Sequence, residues 1–162
     1  MNILEFEEVY TENKKLDAKF EEAYGYDDDI ILKTKLELLV EIGELCNETR
    51  CFKFWSKKSA NREATLEEYA DVLMMVLYFF NKSNITLTEE FPTYTSEDVN
   101  NKFITLFGLA SEYRDDTNNE VIKEIFVNVL ELGRLLSFTT DEIKMACLNK
   151  IRKTMNIFDS DY

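Results

Sequence analysis

Residues that interrupt helices are scarce in this chain. Its 162 residues include a single proline, Pro92, and four glycines. Because proline and glycine end helices and form the turns between strands, their scarcity favours long helices over a strand-and-turn architecture. A chain of this length can bury a sizeable core as one compact domain spanning 1–162. We therefore predict an all-α bundle of about six helices.

Capping signals and apolar periodicity give the approximate bounds of these helices. Gly25 and the acidic residues 27–29 separate the first helix from the second. Thr65 with Glu68, and Thr139 with Glu142, have capping-box spacing and predict the starts of the third and sixth helices. The predicted helices cover 3–24, 30–54, 66–81, 96–114, 119–136 and about 140–158.

Charge and composition exclude several classes of protein. The net charge is −13 at pH 7, with 32 acidic residues against 19 basic ones. Because affinity for a nucleic-acid backbone comes from Lys and Arg, we expect no nucleic-acid partner. The chain has no histidine, which excludes a Ser-His-Asp triad, a histidine general base and a histidine-ligated zinc site.

The cysteines and the amino-terminal sequence bear on the compartment. Cys46, Cys51 and Cys147 are an odd number without CxxC spacing, so we expect reduced thiols. The first ten residues lack a signal-peptide pattern, and no apolar run is long enough to cross a bilayer. These features predict a cytoplasmic protein without a membrane partner.

The second predicted helix contains an acidic row set among apolar residues. Glu37, Glu41, Glu44 and Glu48 fall within roughly 60° of one another on a helical projection. Leucine, isoleucine and valine surround this row on nearly every side. Buried carboxylates are costly unless a cation binds them, so the row indicates a metal site. An ExxE pair on a solvated helix face is the competing interpretation, and it applies best to the outer residues Glu37 and Glu48.

The third predicted helix repeats the pattern. Glu68 and Asp71 lie one turn apart and precede a long apolar run, whereas Glu67 fits a surface position. A carboxylate in such a helix should be protonated or bind a partner. Two helices with facing carboxylate pairs would form an oxygen-rich site, which suits Mg²⁺ because this ion needs neither His nor Cys.

Aromatic and basic residues follow the acidic helix. Trp55 has the chemistry to stack on a base, and Lys57 and Lys58 have the charge to neutralise a phosphate. The basic residues of the last helix, which include Lys150, have the charge to contact phosphates or to balance the helix dipole. Core anchoring by the aromatics and solvation of the lysines remain the simpler alternatives.

Two segments carry a family resemblance. The runs LLVEIGELCNETRCFKFWS (38–56) and LEEYADVLMMVLYFF (66–80) resemble the dimeric all-alpha dUTPases, which belong to the wider group of all-alpha NTP pyrophosphatases and MazG-like enzymes. The run NKKLD (13–17) is similar to the first-helix motif of the same branch. The resemblance implies a four-helix core, a homodimer and cleavage of dUTP to dUMP and pyrophosphate.

The resemblance also implies roles for individual residues. Glu41, Glu44, Glu68 and Asp71 would bind Mg²⁺. Asn47 and Trp55 would line the deoxyuridine pocket, which Asn13 and Asp17 would close from the first helix. Lys57 or Lys58 would contact phosphate.

The chain departs from the family pattern at two places. Many members carry a histidine three residues after the aspartate of ExxD, where this chain has Met74, which is therefore a candidate substrate contact. Members also end in a Lys-Asn-x-x-Asn-x-x-Arg helix followed by Gly-Tyr. Alignment on the final residues retains Lys150 as the phosphate-binding lysine and substitutes the other positions: Ile151, Thr154, Ile157 and Asp161, with Tyr162 kept.

These observations lead to one functional hypothesis and two alternatives. Mg²⁺ held by the carboxylates would activate a water, and Glu41 or Glu44 would take its proton. A related pyrophosphohydrolase that prefers dCTP or another nucleotide is the first alternative. A non-catalytic helical interaction protein is the second.

Overall fold

The described part of the chain is entirely helical. The computed structural model describes residues 1–114 and 119–160, and within these ranges it has six α-helices and no strand. This confirms the predicted all-α bundle. A short 3₁₀ turn, Ile3–Phe6, leads into the first helix, and the helices are α1 (Glu7–Tyr24), α2 (Asp28–Thr49), α3 (Arg62–Lys82), α4 (Val99–Glu112), α5 (Asn119–Leu135) and α6 (Thr140–Ser160).

Helix α2 ends earlier than the sequence predicts. We predicted a helix continuing to Phe54, but α2 stops at Thr49 because Arg50 adopts a left-handed conformation with φ 59°. Such a conformation ends a helix and turns the chain away from its axis. Phe54 and Trp55 therefore lie in a connector and not on the acidic helix.

The start of α3 corrects a second prediction. Asn61 caps the helix, and its side-chain oxygen accepts a hydrogen bond of 3.1 Å from the amide of Ala64. Thr65 lies inside the helix and its hydroxyl donates to the carbonyl of Asn61, so the predicted Thr65–Glu68 capping box is wrong. The Asn61 side chain satisfies an orphan amide of the first helical turn, so α3 begins at Arg62 and not near Leu66 as predicted.

The capping box at α6 is confirmed, and α4 is shorter than predicted. The amide of Thr139 donates to Glu142 Oε2 at 2.8 Å, and the amide of Glu142 donates to Thr139 Oγ1 at 3.2 Å. Helix α4 begins at Val99 after the cap Asp98, three residues later than predicted. Asp161 and Tyr162, used in the terminal alignment, lie outside the described residues.

Helix α3 is the centre of the bundle. It packs against α1, α2, α5 and α6, while α4 packs against α2 and α5. This position explains why α3 is apolar around most of its circumference. Its Tyr69 is fully buried and donates a hydrogen bond of 2.6 Å to the carbonyl of Val129 on α5. Further along, Phe80 contacts the rings of Tyr10 and Phe126.

The segment between α3 and α4 is tied to the bundle by polar contacts. The Tyr10 hydroxyl donates to the carbonyl of Ile85 at 2.6 Å. The Nζ of the fully buried Lys102 donates to Asn128 Oδ1 at 2.6 Å and to the carbonyl of Thr95. These bonds satisfy a charge that would otherwise be costly to bury.

None of the described helices combines the length and apolar character needed to cross a membrane.

Candidate functional site

Three carboxylates meet where α2 packs against α3. Glu41 and Glu44 come from α2 and Glu68 from α3, and one oxygen atom of each lies within 4.8 Å of the others. The i,i+3 spacing puts the two α2 residues on one face, as the sequence predicted. Glu41 and Glu68 are half-buried and Glu44 is exposed. The described residues thus place three of the four predicted ligands together.

Glu41 is the least satisfied of these carboxylates. Its Oε2 is buried and has no hydrogen-bond partner among the residues that the structure describes. Burial and the charges of the neighbouring carboxylates, led by Asp71, together raise the pKa of Glu41 to about 7. Burial and the same kind of repulsion also raise the pKa of Glu68. A buried acceptor without a donor, surrounded by like charges, is an arrangement that a bound cation would stabilise.

Asp71 lies beside this group but has a different partner. Its Oδ2 accepts a hydrogen bond from the Nζ of Lys150 on α6, forming a partly buried ion pair. Asp71 is not among the three clustered carboxylates, although it contributes to the raised pKa of Glu41. The structure therefore brings together a predicted metal ligand and a predicted phosphate-binding lysine.

A cleft of about 460 Å³ opens beside the carboxylates. Glu41 and Asp71 lie on its wall, as do three predicted substrate contacts: Asn13, Asp17 and Met74. The side chain of Asn13 donates a hydrogen bond of 3.1 Å to the carbonyl of Met74. The volume falls in the range of pockets that hold small molecules.

Asp17 is the second buried carboxylate of the cleft. It accepts a hydrogen bond of 3.0 Å from the Asn81 amide and is 6% exposed. Burial raises its pKa to about 6, although the hydrogen bond from Asn81 and the charge of Lys82 oppose this rise. A carboxyl held in this way suits recognition of a polar ligand edge.

The other predicted substrate contacts lie away from the cleft wall. Asn47, Lys57 and Lys58 are exposed and do not line the cleft. Trp55 is 65% exposed and packs edge-on against Phe54, with ring centroids 5.2 Å apart. Within the described residues, none of these four side chains lines the cleft.

The cleft also has an aromatic part that the sequence did not predict. Tyr26 and Tyr78 line it together with Lys82, whose Nζ lies 4.5 Å from the ring centre of Tyr26 and 5.5 Å from that of Tyr78. Tyr78 could have been found, because it lies four residues after Met74 on one helix face. Tyr26 depends on the turn at Gly25, whose φ of 83° no spacing pattern predicts.

An all-helical bundle that brings carboxylates together from its second and third helices beside a cleft defines the class of all-alpha NTP pyrophosphohydrolases. The chain belongs to the all-alpha dUTPase family, whose model, described as dUTPase, matches residues 5–162. This confirms the predicted resemblance and extends it over nearly the whole chain. The family hydrolyses dUTP to dUMP, so the chain is a dUTP diphosphatase-type enzyme. Searches of curated proteins and of solved structures gave no match.

The raised carboxyl pKa values predict how stability depends on pH without divalent cations. Glu41 has an ordinary pKa of 4.5 and a folded-state value of about 7. Such a group stabilises the folded protein at a pH below its unfolded-state pKa. This stabilisation is lost as the pH rises through the folded-state pKa. In EDTA, the unfolding free energy should therefore fall between pH 5 and pH 8. Urea titrations at each pH would measure this, and a flat or rising profile would contradict the assigned environment.

Proposed function

We propose that this chain hydrolyses dUTP to dUMP and pyrophosphate in a Mg²⁺-dependent reaction at the α2–α3 carboxylates. Glu41, Glu44, Glu68 and Asp71 hold the metal in this proposal. The observation that carries it is the buried Oε2 of Glu41, which belongs to a group of three carboxylates and finds no hydrogen-bond donor in the described part of the chain. Carboxylate oxygens are the ligands that Mg²⁺ uses together with substrate phosphates.

The chemistry follows from these groups. Bound Mg²⁺ would neutralise phosphate charge and lower the pKa of the attacking water. Glu41 or Glu44 takes the proton from that water, since the chain offers no histidine to do so. The water oxygen forms a bond to one of the two phosphorus atoms while the bridging P–O bond between the α- and β-phosphates breaks. The products are dUMP and pyrophosphate.

The cleft supplies the recognition of the nucleoside. Asn13 and Asp17 present an amide and a carboxyl on its wall, and Met74 contributes both a side chain and the carbonyl that orients Asn13. We assign these three residues to the base and sugar. Lys150 is assigned to the phosphates, and Lys57 or Lys58 would join it if the connector moves toward the cleft.

A homodimer is part of the proposal. Leu32, Leu36 and Val40 recur every four residues along α2 and are 67%, 60% and 48% exposed, and Ile104 on α4 is 70% exposed. Apolar side chains repeated along one helix face are typical of a subunit interface. Asn47 continues the same face of α2, so a second subunit packed there would bury it. Light scattering coupled to gel filtration should give twice the 19.1 kDa chain mass.

The cellular setting belongs to the proposal as well. We assign the enzyme to the cytoplasm, which the three free cysteines support because thiols stay reduced there. We also assign residues 1–162 to one domain, because Thr154 of α6 lines the cleft together with α1, α2 and α3, and α4 and α5 pack against the same helices.

A nucleotide panel tests the assigned substrate. Pyrophosphate release from dUTP should exceed that from dTTP, dCTP and UTP at equal concentration with Mg²⁺. Preference for another nucleotide would keep the metal chemistry and overturn the assigned base. No release from any of the four would overturn the proposed function.

Asp17→Asn tests the recognition role with nearly unchanged shape. The asparagine can still accept a hydrogen bond from Asn81, but it cannot present a carboxyl to the base and sugar. We expect kcat/KM for dUTP to fall by roughly 10²-fold and discrimination against dCTP to weaken. Glu22→Gln, at an exposed position of the same helix, is the matched control and should retain wild-type kinetics. Unchanged discrimination in Asp17→Asn would contradict the assignment.

A further inference from the structure

Lys150 binds a carboxylate that the proposed metal needs. Its Nζ contacts Asp71 Oδ2 across the α3–α6 interface, and the two side chains are 24% and 31% exposed. Its charge also opposes the rise in the pKa of Glu68, as expected of an ammonium close to that carboxylate. Lys150 is therefore paired with Asp71, and its charge also acts on Glu68, the other acidic residue that α3 contributes to the site.

The packing of α6 does not depend on this ion pair. Ile143, Cys147 and Ile151 recur on one face of α6 and are buried in the core, so apolar contacts already hold the helix against the bundle. A partly exposed ion pair adds little to such packing. The Lys150 side chain is thus able to change partners while α6 stays in place.

We propose that Lys150 and the divalent cation compete for the carboxylate of Asp71, so that metal binding releases Lys150 for the substrate phosphates. This inference rests on the proposed function, because it takes Asp71 as a metal ligand. Lys150 already occupies Oδ2 of Asp71, so a metal ion that binds this oxygen must displace the ammonium, and repulsion between the two positive charges favours the displacement. The exchange makes the metal the first ligand to bind and the nucleotide the second.

Calorimetric titration of the nucleotide-free protein with Mg²⁺ tests the competition without relying on turnover. Lys150→Met removes the competing charge, so it should bind Mg²⁺ roughly fivefold more tightly than the wild type. Lys153→Met removes an exposed charge from the same helix and should change the affinity by less than about twofold. If the wild type binds Mg²⁺ and Lys150→Met binds it no more tightly than the wild type does, the exchange is overturned. Absence of Mg²⁺ binding by the wild type would instead overturn the proposed metal site, and the exchange with it.

A measurement on the unaltered protein covers the case in which Lys150→Met does not fold. Limited acetylation followed by mass spectrometry reports how accessible each lysine amine is. The exchange predicts that Mg²⁺ increases the labelling of Lys150 while that of Lys153 stays constant. Labelling of Lys150 that is unchanged or reduced by Mg²⁺ would overturn it.

Discussion

Glu41→Gln should lower kcat for dUTP by about 10³-fold or more while the helical fold is kept. The substitution keeps the shape of the side chain but removes the charge of Glu41, whose buried Oε2 has no hydrogen-bond donor within 1–114 and 119–160. It also removes one member of a group of like charges within 4.8 Å of one another. Without metal at pH 8, the variant should therefore be more stable than the wild type. Steady-state pyrophosphate release and urea denaturation in EDTA would measure the two effects.

The matched control for this experiment is Glu67→Gln. Glu67 neighbours Glu68 in sequence but is exposed and does not belong to the carboxylate group. The kcat and the stability of Glu67→Gln should stay close to those of the wild type. If Glu41→Gln retained kcat within tenfold of the wild type, the assignment of Glu41 to the metal site would be wrong.

Gly133→Ala should destabilise the protein by about 2–3 kcal/mol, despite the higher helix propensity of alanine. A Cβ atom at this position would lie 2.6 Å from the hydroxyl oxygen of Tyr69 and 3.1 Å from Cδ1 of Ile143. Tyr69 is fully buried and bonded to the carbonyl of Val129, so it cannot move away without losing that hydrogen bond. Thermal unfolding would show a melting temperature lower by about 5–10 °C.

Gly108→Ala provides the comparison within the same chain. No atom of the described residues would lie within 4 Å of a Cβ atom there, and the residue is an exposed position of α4. Within the subunit, the substitution should stabilise the fold by about 0.5–1 kcal/mol through helix propensity. A stable Gly133→Ala variant would show that α3 and α5 are packed less closely at Tyr69 than described.

The sequence predicted the helices well but not where they begin and end. Apolar periodicity and the scarcity of proline and glycine are distributed over many residues, so they report reliably on helix existence. The ends depend on single residues. Arg50 stops α2 by adopting a left-handed conformation that arginine rarely takes, and Asn61 caps α3 one turn before the threonine that matched a capping box.

The same distinction holds for the site. Glu41, Glu44 and Glu68 could be predicted because they belong to two acidic pairs, each with its members one turn apart on a single helix. Only the contact between α2 and α3 is needed to join the two pairs. The pairing of Asp71 with Lys150 joins residues 79 positions apart. Neither residue carries a local signal for the other, so only the three-dimensional arrangement reveals it.

Measurement of dUMP and pyrophosphate from dUTP, with Mg²⁺ and with EDTA, tests the central claim most directly. The claim is that the carboxylates at the α2–α3 contact hold a divalent cation that drives hydrolysis. It predicts equal amounts of dUMP and pyrophosphate with Mg²⁺, and loss of both in EDTA that is reversed when Mg²⁺ is restored. Turnover that persists in EDTA, or the absence of turnover at any Mg²⁺ concentration, would contradict it.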